Sequence, residues 1–154
     1  MRKPLLVANW KMPKDRAEAR AWAEFVVNAL AQEQAAELAV APPFTALEAL
    51  SAALSGSSIQ LAAQNVAIAP EGAYTGEISV PMLAEIGCRY CSVGHSERRA
   101  LFAESDAAVS AKATALLEAG LRPIVCVGES EAERKAGQTE EIVGRQLHTS
   151  LPLI

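Results

Sequence analysis

Five short apolar segments recur along the chain, and stretches with helical periodicity separate them. The apolar segments span Pro4–Trp10, Leu38–Pro42, Ile59–Gln64, Tyr90–Val93 and Arg122–Val127. Their apolar positions run nearly unbroken rather than alternating, which is typical of strands buried on both faces of a parallel sheet. The alternation of strands and helices predicts an α/β fold, with about five parallel strands and surrounding helices.

Capping signals mark the helices between these strands. In the first helix, apolar side chains three and four positions apart predict one buried stripe of Trp22, Phe25, Val26, Ala29 and Leu30. Capping boxes are predicted at Asp15 with Glu18, Thr45 with Glu48 and Ser130 with Glu133. Ser79 and Gly87 bound a short helix, and Ser105 and Gly120 bound an alanine-rich one. No linker interrupts this order, so residues 1–154 are predicted to form one domain.

Composition narrows the class of protein. Of the 154 residues, 51% are apolar, which is too many for a disordered chain. The formal net charge is −4, which argues against a nucleic-acid partner. No apolar run approaches the roughly 18 residues of a membrane span, and the apolar run near the N-terminus is too short for a signal peptide. The three cysteines are an odd number, which favours reduced thiols and a cytoplasmic location.

Polar and ionisable residues follow the predicted strands, at the edge where parallel α/β sheets bind ligands. Asn9 and Lys11 follow the first strand, and Lys11 is either a solvated loop lysine or a cation that faces an anionic ligand. His95 follows the fourth strand and precedes a helix. It is either structural or, held neutral by the helix dipole, a hydrogen-bond donor to a carbonyl. Glu97 is either a partner of that dipole or part of the same site.

Other motifs have simpler structural explanations. Cys88 and Cys91 have a C-x-x-C spacing, but they straddle the predicted end of a helix and start of a strand. With no second pair and no histidine cluster nearby, packing is favoured over zinc or redox chemistry. Arg98 and Arg99 are interpreted as solvent-facing or salt-bridging residues. The dinucleotide and P-loop fingerprints do not occur in the sequence, so we expect neither a cofactor nor a metal ion.

Six sequence strings together resemble the triosephosphate isomerase family, from Lys3 to about Leu147. They are A-N-W-K-M (Ala8–Met12), A-P-P-F (Ala41–Phe44), A-Q-N-V (Ala63–Val66), G-A-Y-T-G-E-I-S (Gly72–Ser79), V-G-H-S-E-R-R (Val93–Arg99) and C-V-G-E (Cys126–Glu129). The resemblance implies an incomplete TIM (β/α)8 barrel, because a whole barrel takes about 250 residues. It also implies interconversion of glyceraldehyde 3-phosphate and dihydroxyacetone phosphate by proton transfer through an enediolate.

The same resemblance implies a role for each residue at the strand ends. Asn9 and Lys11 are expected to contact the phosphorylated triose, with Lys11 balancing the charge of the phosphate and the enediolate. His95 is expected to be the neutral electrophile that polarises the carbonyl and moves a proton between its two oxygens. Glu97 is expected to accompany the lysine. The loop around Thr75 is expected to reach into the active site of a partner subunit, which predicts a homodimer.

The family's catalytic glutamate after the sixth strand, its mobile lid and its phosphate loops lie beyond the matched part. Weak activity is therefore expected, with Glu97 rather than Glu129 as a substitute base. Two alternatives remain open: a non-catalytic dimeric or assembly protein, and half of a split isomerase completed by a partner chain. Because open sheet edges are an aggregation liability, an enlarged homodimer interface is also expected.

Overall fold

The computed structural model describes residues 3–30 and 35–152, and a sheet of five parallel strands forms its centre. The strands are β1 (Leu5–Asn9), β2 (Glu37–Ala41), β3 (Ile59–Ala63), β4 (Cys88–Val93) and β5 (Arg122–Val125). They pair in chain order, β1-β2-β3-β4-β5, and each strand runs parallel to the next. The predicted α/β architecture with five parallel strands is confirmed.

Helices connect the strands, and two of the regions that follow a strand hold more than one α-helix. The described α-helices are α1 (Arg16–Ala29), α2 (Leu47–Ala53), α3 (Val80–Ile86), α4 (Ser96–Phe102), α5 (Asp106–Glu118), α6 (Glu131–Lys135) and α7 (Thr139–Ser150). The region after β4 holds two helices, and so does the region after β5. Ala103 (φ 51°) separates α4 from α5, and Gly137 (φ 73°) separates α6 from α7. A left-handed residue cannot continue a right-handed helix, so each segment divides there.

Two of the three predicted capping boxes form. The Asp15 side chain accepts from the Glu18 amide and the Glu18 side chain accepts from Asp15, and the same reciprocal bonds join Ser130 and Glu133. The prediction for Thr45 with Glu48 is wrong. Thr45 lies inside a 3₁₀ turn (Phe44–Ala46), and α2 begins only after it without a side-chain cap.

Helix α1 buries a face that is rotated from the predicted stripe. Its core-facing residues are Ala19, Trp22, Ala23, Val26 and Val27, followed by Leu30 just beyond its end, whereas the predicted Ala29 is exposed. Phe25, which the spacing placed in the stripe, is 72% exposed. Ala19 and Ala23 are both fully buried, and their small side chains bring the helix close to its neighbours. The helix therefore packs through the face that carries the two alanines, and the ring of Phe25 lies on the outer face.

Burial along the strands depends on their position in the sheet. β3 and β4 are buried at nearly every position, because each has a strand on both sides. β1 alternates between half-buried and exposed side chains, and β5 has no fully buried residue. The prediction that all five strands are buried on both faces is therefore wrong for β1 and β5, which lie at the edges of the sheet and each pair with one other described strand.

The two faces of the sheet carry different cores. The larger core joins strand residues to helix residues, including the fully buried Leu47, Leu50, Leu83 and Leu116. The smaller core contains strand residues alone, with Ala39, Ala41, Ala62 and Tyr90 at its centre. On that face, Arg122 Nη1 of β5 lies 3.5 Å from Glu37 Oε2 of β2. Two strands, β3 and β4, separate β2 from β5, and a contact between their side chains across the smaller core fits a sheet that curls as part of a barrel.

Cys88 and Cys91 both lie in β4, so the prediction that they straddle a helix end and a strand start is wrong. Pairing with β3 shifts between Leu61, opposite Cys88, and Ala62, opposite Tyr90, which leaves Arg89 as an extra residue. This bulge brings both cysteines to the helix-covered core. Burial raises the pKa of Cys88 to about 12 and also raises that of Cys91. Protonated, buried thiols are suited to packing.

Candidate functional site

The end of β1 holds Lys11 in an unusual backbone conformation. Its φ of 57° lies in the left-handed region, which costs a non-glycine residue about 1–2 kcal/mol. Side chains hold both of its peptide groups: the Lys11 amide donates to Asn9 Oδ1 at 3.0 Å, and Gln64 Nε2 donates to the Lys11 carbonyl at 2.8 Å. Gln64 also donates to the Ala41 carbonyl at 2.8 Å. The lysine is therefore fixed to the ends of β1, β2 and β3.

His95 follows β4 and caps helix α4. The Glu97 amide donates to His95 Nδ1 at 3.3 Å. The carboxylate of Glu97 lies farther from the same nitrogen, at 3.5 Å, so the amide is the better-placed partner. A ring nitrogen that accepts a hydrogen bond carries no proton, so the ring hydrogen sits on Nε2. The arrangement leaves Nε2 as the donor nitrogen of the ring, since a proton on Nδ1 would break the bond from the Glu97 amide.

An ion pair joins the two loops. Lys11 Nζ lies 2.5 Å from Glu97 Oε1, and the two side chains are 55% and 46% exposed. The hydrogen bond from Lys11, together with its charge, lowers the pKa of Glu97. The structure thus brings together four of the predicted site residues, Asn9, Lys11, His95 and Glu97, at the carboxyl ends of β1 and β4. We refer to these four residues as the rim site.

Thr75 and Glu129 lie apart from the rim site. Thr75 is exposed on the loop of residues 68–77, and no hydrogen bond or ion pair given for the described residues connects it to the rim site. Glu129 accepts hydrogen bonds from Arg134 at 2.6 Å and from Thr139 at 3.3 Å. A backbone hydrogen bond and the bond from Arg134 lower the pKa of Glu129. This second carboxylate is therefore held by side chains of α6 and α7.

A buried polar network that is absent from the sequence-based predictions lies next to the residue before His95. Glu104 accepts from the Gly94 amide at 3.0 Å and pairs with Lys112, whose ammonium also donates to Asn65 Oδ1 at 2.8 Å. A signal for it exists in the sequence. Lys112 lies on the same helical stripe as the buried Val109, Ala113 and Leu116 of α5, and a lysine there needs a buried partner.

Arg98 and Arg99 fit the salt-bridging interpretation. Arg98 Nε lies 3.3 Å from Glu104 Oε1, and Arg99 pairs with Asp106. Burial raises the pKa of Asp106, but the bond and charge of Arg99 outweigh it, so the pKa lies below its usual value. Neither arginine is directed into the rim site by these contacts.

Residues 3–30 and 35–152 contain no group of three or more histidine, cysteine, aspartate or glutamate side chains placed to hold a metal ion. None of their helices has the length and apolar character that crossing a membrane requires.

The curled parallel sheet, with a lysine, a histidine and a glutamate at its carboxyl edge, defines a β/α-barrel protein with polar groups suited to carbonyl chemistry. The family model for triosephosphate isomerase matches residues 4–154, and the chain belongs to that family. The resemblance stated from the sequence is thereby confirmed.

Individual relatives agree with this assignment. Triosephosphate isomerase of Chloroflexus aurantiacus is 50% identical over 151 residues, covering 98% of the chain and 60% of the relative. The enzyme of that name from Thiobacillus denitrificans is 52% identical over 147 residues, covering 96% and 58%. The crystal structure of triosephosphate isomerase from Bartonella henselae superposes with a TM-score of 0.92 at 37% identity, covering 97% of the chain and 62% of that structure. The chain spans about 60% of the length of the curated relatives it matches.

Proposed function

We propose that the rim site binds a small phosphorylated triose and supports the interconversion of glyceraldehyde 3-phosphate and dihydroxyacetone phosphate. The hydrogen bond from the Glu97 amide to His95 Nδ1 carries this proposal, because it leaves Nε2–H as a neutral donor. A neutral donor polarises a carbonyl and can pass its proton to the developing oxyanion. Asn9 and Lys11 lie beside it, and the lysine ammonium attracts the anionic substrate.

The proposed reaction begins when a base removes the proton from the carbon next to the carbonyl. The electron pair of that C–H bond forms the carbon–carbon double bond of the enediolate, and the carbonyl electrons move to oxygen. His95 Nε2–H donates to this oxygen, and the ammonium of Lys11 balances its negative charge. Return of the proton to the neighbouring carbon, with proton transfer between the two oxygens, completes the isomerisation.

Glu97 is the base that we assign to this chain, and its surroundings favour slow turnover. The bond from Lys11 lowers its pKa, so the carboxylate is a weaker base than an unpaired glutamate. Glu129 also has a lowered pKa and is bonded to Arg134 and Thr139. Since a well-matched general base supplies about 10²- to 10⁴-fold in rate, we expect weak activity from these residues alone.

Solvent exchange tests the proposal more sensitively than turnover. Purified chain is incubated with dihydroxyacetone phosphate in D₂O, and deuterium incorporation at carbon is followed by NMR. We expect exchange above background in the unmodified chain and a loss of about 10²-fold or more in His95→Ala. His148→Ala, which alters the exposed histidine of α7, is the matched control and should exchange at the original rate.

Two outcomes of this experiment would contradict the assignments. Unchanged exchange in Glu97→Gln would exclude Glu97 as the base, because the amide cannot accept the proton. Unchanged exchange in both His95→Ala and Glu97→Gln would assign the activity to a contaminating enzyme and overturn the proposed function.

We also propose that the chain forms a homodimer through the loop of residues 68–77. A hydrogen bond from the Ala67 amide to the Ile78 carbonyl, 2.8 Å long, closes the base of this loop. Thr75 lies on it, and the neighbouring Tyr74 exposes more than half of its surface. A large aromatic side chain exposed on such a loop is typical of an association surface.

Sedimentation equilibrium at micromolar concentration tests the dimer. We expect a dimer for the unmodified chain and a shift to monomer in Thr75→Arg, which places a charge in the contact. Ser55→Arg, which adds the same charge at an exposed position after α2 and outside that loop, is the control for charge alone. A monomeric unmodified chain would contradict the proposal.

Alternatively, the chain is a non-catalytic assembly protein or half of a split isomerase. The open edge of the sheet at β1 supports both alternatives, because another chain can pair there. β1 pairs only with β2 among the described strands. Beside it lies an open apolar groove of about 310 Å³, lined by Leu6, Trp22, Val26 and their neighbours. Co-expression with the segment of the Chloroflexus aurantiacus relative that the chain does not match separates the alternatives. A stable, active complex would support the split enzyme, whereas an inactive one would support the assembly role.

A further inference from the structure

The peptide groups of Gly94, the residue before His95, are held by two charged side chains. Glu104 Oε2 accepts from the Gly94 amide at 3.0 Å, and Arg99 Nε donates to the Gly94 carbonyl at 2.7 Å. Both bonds are charge-assisted, which makes them stronger than bonds between neutral groups. The junction between β4 and α4 is thus fixed on both sides of one residue. We call Glu104 and Arg99 the Gly94 clamp.

Further contacts fix Glu104. It is buried, and its carboxylate is bonded to Lys112 and to Arg98. Because those charges are matched, the carboxylate stays ionised within the protein.

Further contacts also fix Arg99. Its guanidinium is bonded to Asp106, to Ser150 Oγ at 3.2 Å and to the Cys126 carbonyl at 3.3 Å. These partners come from α5, α7 and the end of β5. The position of the clamp is therefore set by the surrounding fold rather than by α4 alone.

The residue inside the clamp has to be glycine. Gly94 has a φ of +72°, and a Cβ atom there would lie 2.9 Å from Arg99 Nη2, 2.9 Å from Val109 Cγ2 and 3.1 Å from the Cys126 carbonyl oxygen. Glycine is the residue with the greatest backbone freedom. An unrestrained glycine directly before His95 would let the imidazole move, and the two charged bonds remove that freedom.

We infer that Glu104 and Arg99 are positioning residues for His95, acting through the backbone of Gly94. Rotation of the Gly94 peptide would carry His95 Nδ1 away from the Glu97 amide, which is the bond that leaves the proton on Nε2. The clamp therefore holds the imidazole in place and selects its tautomer. The catalytic meaning of that tautomer rests on the proposed function, whereas the positioning itself is a property of the chain without substrate.

The experiment measures the His95 tautomer by long-range ¹H–¹⁵N NMR in the absence of substrate. The unmodified chain should show one neutral form with the proton on Nε2. In Arg99→Lys, which keeps the charge beside Asp106 but loses the planar fork, we expect a mixture of both tautomers. Hydrogen exchange of the Glu97 amide should become faster by about tenfold, as for the loss of one net hydrogen bond.

A second variant removes Glu104, the other residue of the clamp. E104L/K112M removes the acceptor of the Gly94 amide together with the lysine charge that would otherwise remain buried. We expect the same mixture of tautomers and the same faster exchange. Glu104→Gln, which keeps a side-chain oxygen for the Gly94 amide, should restore most of the Nε2–H form.

Controls separate positioning from general destabilisation. Leu121→Ala opens a cavity in the core at the start of β5, whereas the clamp lies at the opposite, carboxyl ends of the parallel strands, so the substitution should leave the tautomer unchanged. If E104L/K112M does not fold, the inference is tested by the His95 tautomer and the Glu97 exchange rate in Arg99→Lys. A folded Arg99→Lys chain with the original tautomer and the original Glu97 exchange rate would overturn the inference. Because no substrate is present, an inactive chain that shows the expected tautomer shift would contradict the proposed function and still support the clamp.

Discussion

Two lysine–glutamate ion pairs lie near the two ends of helix α4, and they differ mainly in burial. Glu97, in the first turn, pairs with Lys11 of the loop after β1, and these side chains are 46% and 55% exposed, respectively. Glu104, just beyond the last turn, pairs with Lys112 of α5, and these side chains are only 4% and 10% exposed. The same pair of residue types therefore occurs in water and in the protein interior.

The difference in burial divides the two pairs between binding and support. Water stabilises the separate charges of Lys11 and Glu97 almost as well as the ion pair does, so the pair adds little to the free energy of unfolding. For the same reason, either charge is free to interact with an arriving ligand. Glu104 and Lys112 have lost their water, and each depends on the other and on Asn65 and Gly94 for its hydrogen bonds. Breaking the buried pair should damage the fold, and breaking the exposed pair should not.

The largest effect is expected from Glu104→Leu. The substitution leaves the ammonium of Lys112 buried without its counter-charge, and the expected loss is about 3–5 kcal/mol in the free energy of unfolding. Urea denaturation measures it. E104L/K112M removes both charges and should recover most of the loss, although Asn65 and the Gly94 amide then lack partners. A loss in the single variant no larger than in the double variant would show that burial does not distinguish the pairs.

Gly94→Ala is expected to have the next largest effect. The added Cβ meets Arg99, Val109 and the Cys126 carbonyl at 2.9–3.1 Å, and the residue must also keep a positive φ. We expect a loss of about 1–3 kcal/mol beyond the cost of the backbone conformation.

Gly137→Ala is the matched control for that substitution. Gly137 has nearly the same φ, +73°, but nothing lies within 4 Å of its Cβ position. It should therefore show the conformational cost alone, about 1–2 kcal/mol. Equal losses in the two variants would show that the space around Gly94 is not closed by the buried network.

Acid unfolding tests the contribution of the buried pair to stability, because Glu104 is protonated as the pH falls. Burial raises the pKa of Glu104, but the hydrogen bond and charge of Lys112 and the charge of Arg98 outweigh it, so the pKa lies below its usual value. A carboxylate whose pKa is lowered in the folded state stabilises the protein above its unfolded pKa of about 4.3. It loses that contribution as the pH falls through the folded value. The free energy of unfolding should therefore decrease below about pH 4.5.

The double variant E104L/K112M is the control for acid unfolding, measured by urea denaturation across the acidic range. It lacks the titrating pair, so its stability should fall less steeply with decreasing pH. Asp106, whose pKa is also lowered by Arg99, remains and accounts for part of the slope. Identical slopes in the two chains would exclude the Glu104 pair as a source of the acid sensitivity.

The sequence alone predicts most of the fold, because strand and helix periods are local properties. The face of α1 is an exception. The spacing counts Phe25 as core, but packing of the fully buried Ala19 and Ala23 decides which side approaches the sheet. The predicted capping box at Thr45 is wrong for a similar reason, since a 3₁₀ turn takes the place of the predicted helix start. In both cases, tertiary packing overrides a local pattern.

The rim site was predictable and the network beneath it was not. Parallel strands bring their carboxyl ends to one edge, so Lys11 and Glu97 meet although 86 positions separate them. Glu104 and Lys112 have the residue types of an ordinary surface, and their burial appears only when α5 packs against β4. The position of Lys112 on an apolar stripe is the one local signal, and it does not name its partner.

The smallest effect on stability is expected from Glu97→Gln, and it completes the comparison with the buried pair. The free energy of unfolding should equal that of the unmodified chain within experimental error, at about 0.01 M and at about 1 M salt, because water replaces the lost contact. Glu104→Gln is the matched substitution, since it makes the same chemical change inside the protein, and it should destabilise the chain at both salt concentrations. A Glu97→Gln chain that is destabilised as strongly as Glu104→Gln would mean that the exposed pair holds the two loops together. The rim site would then depend on Glu97 for its shape as well as for its charge.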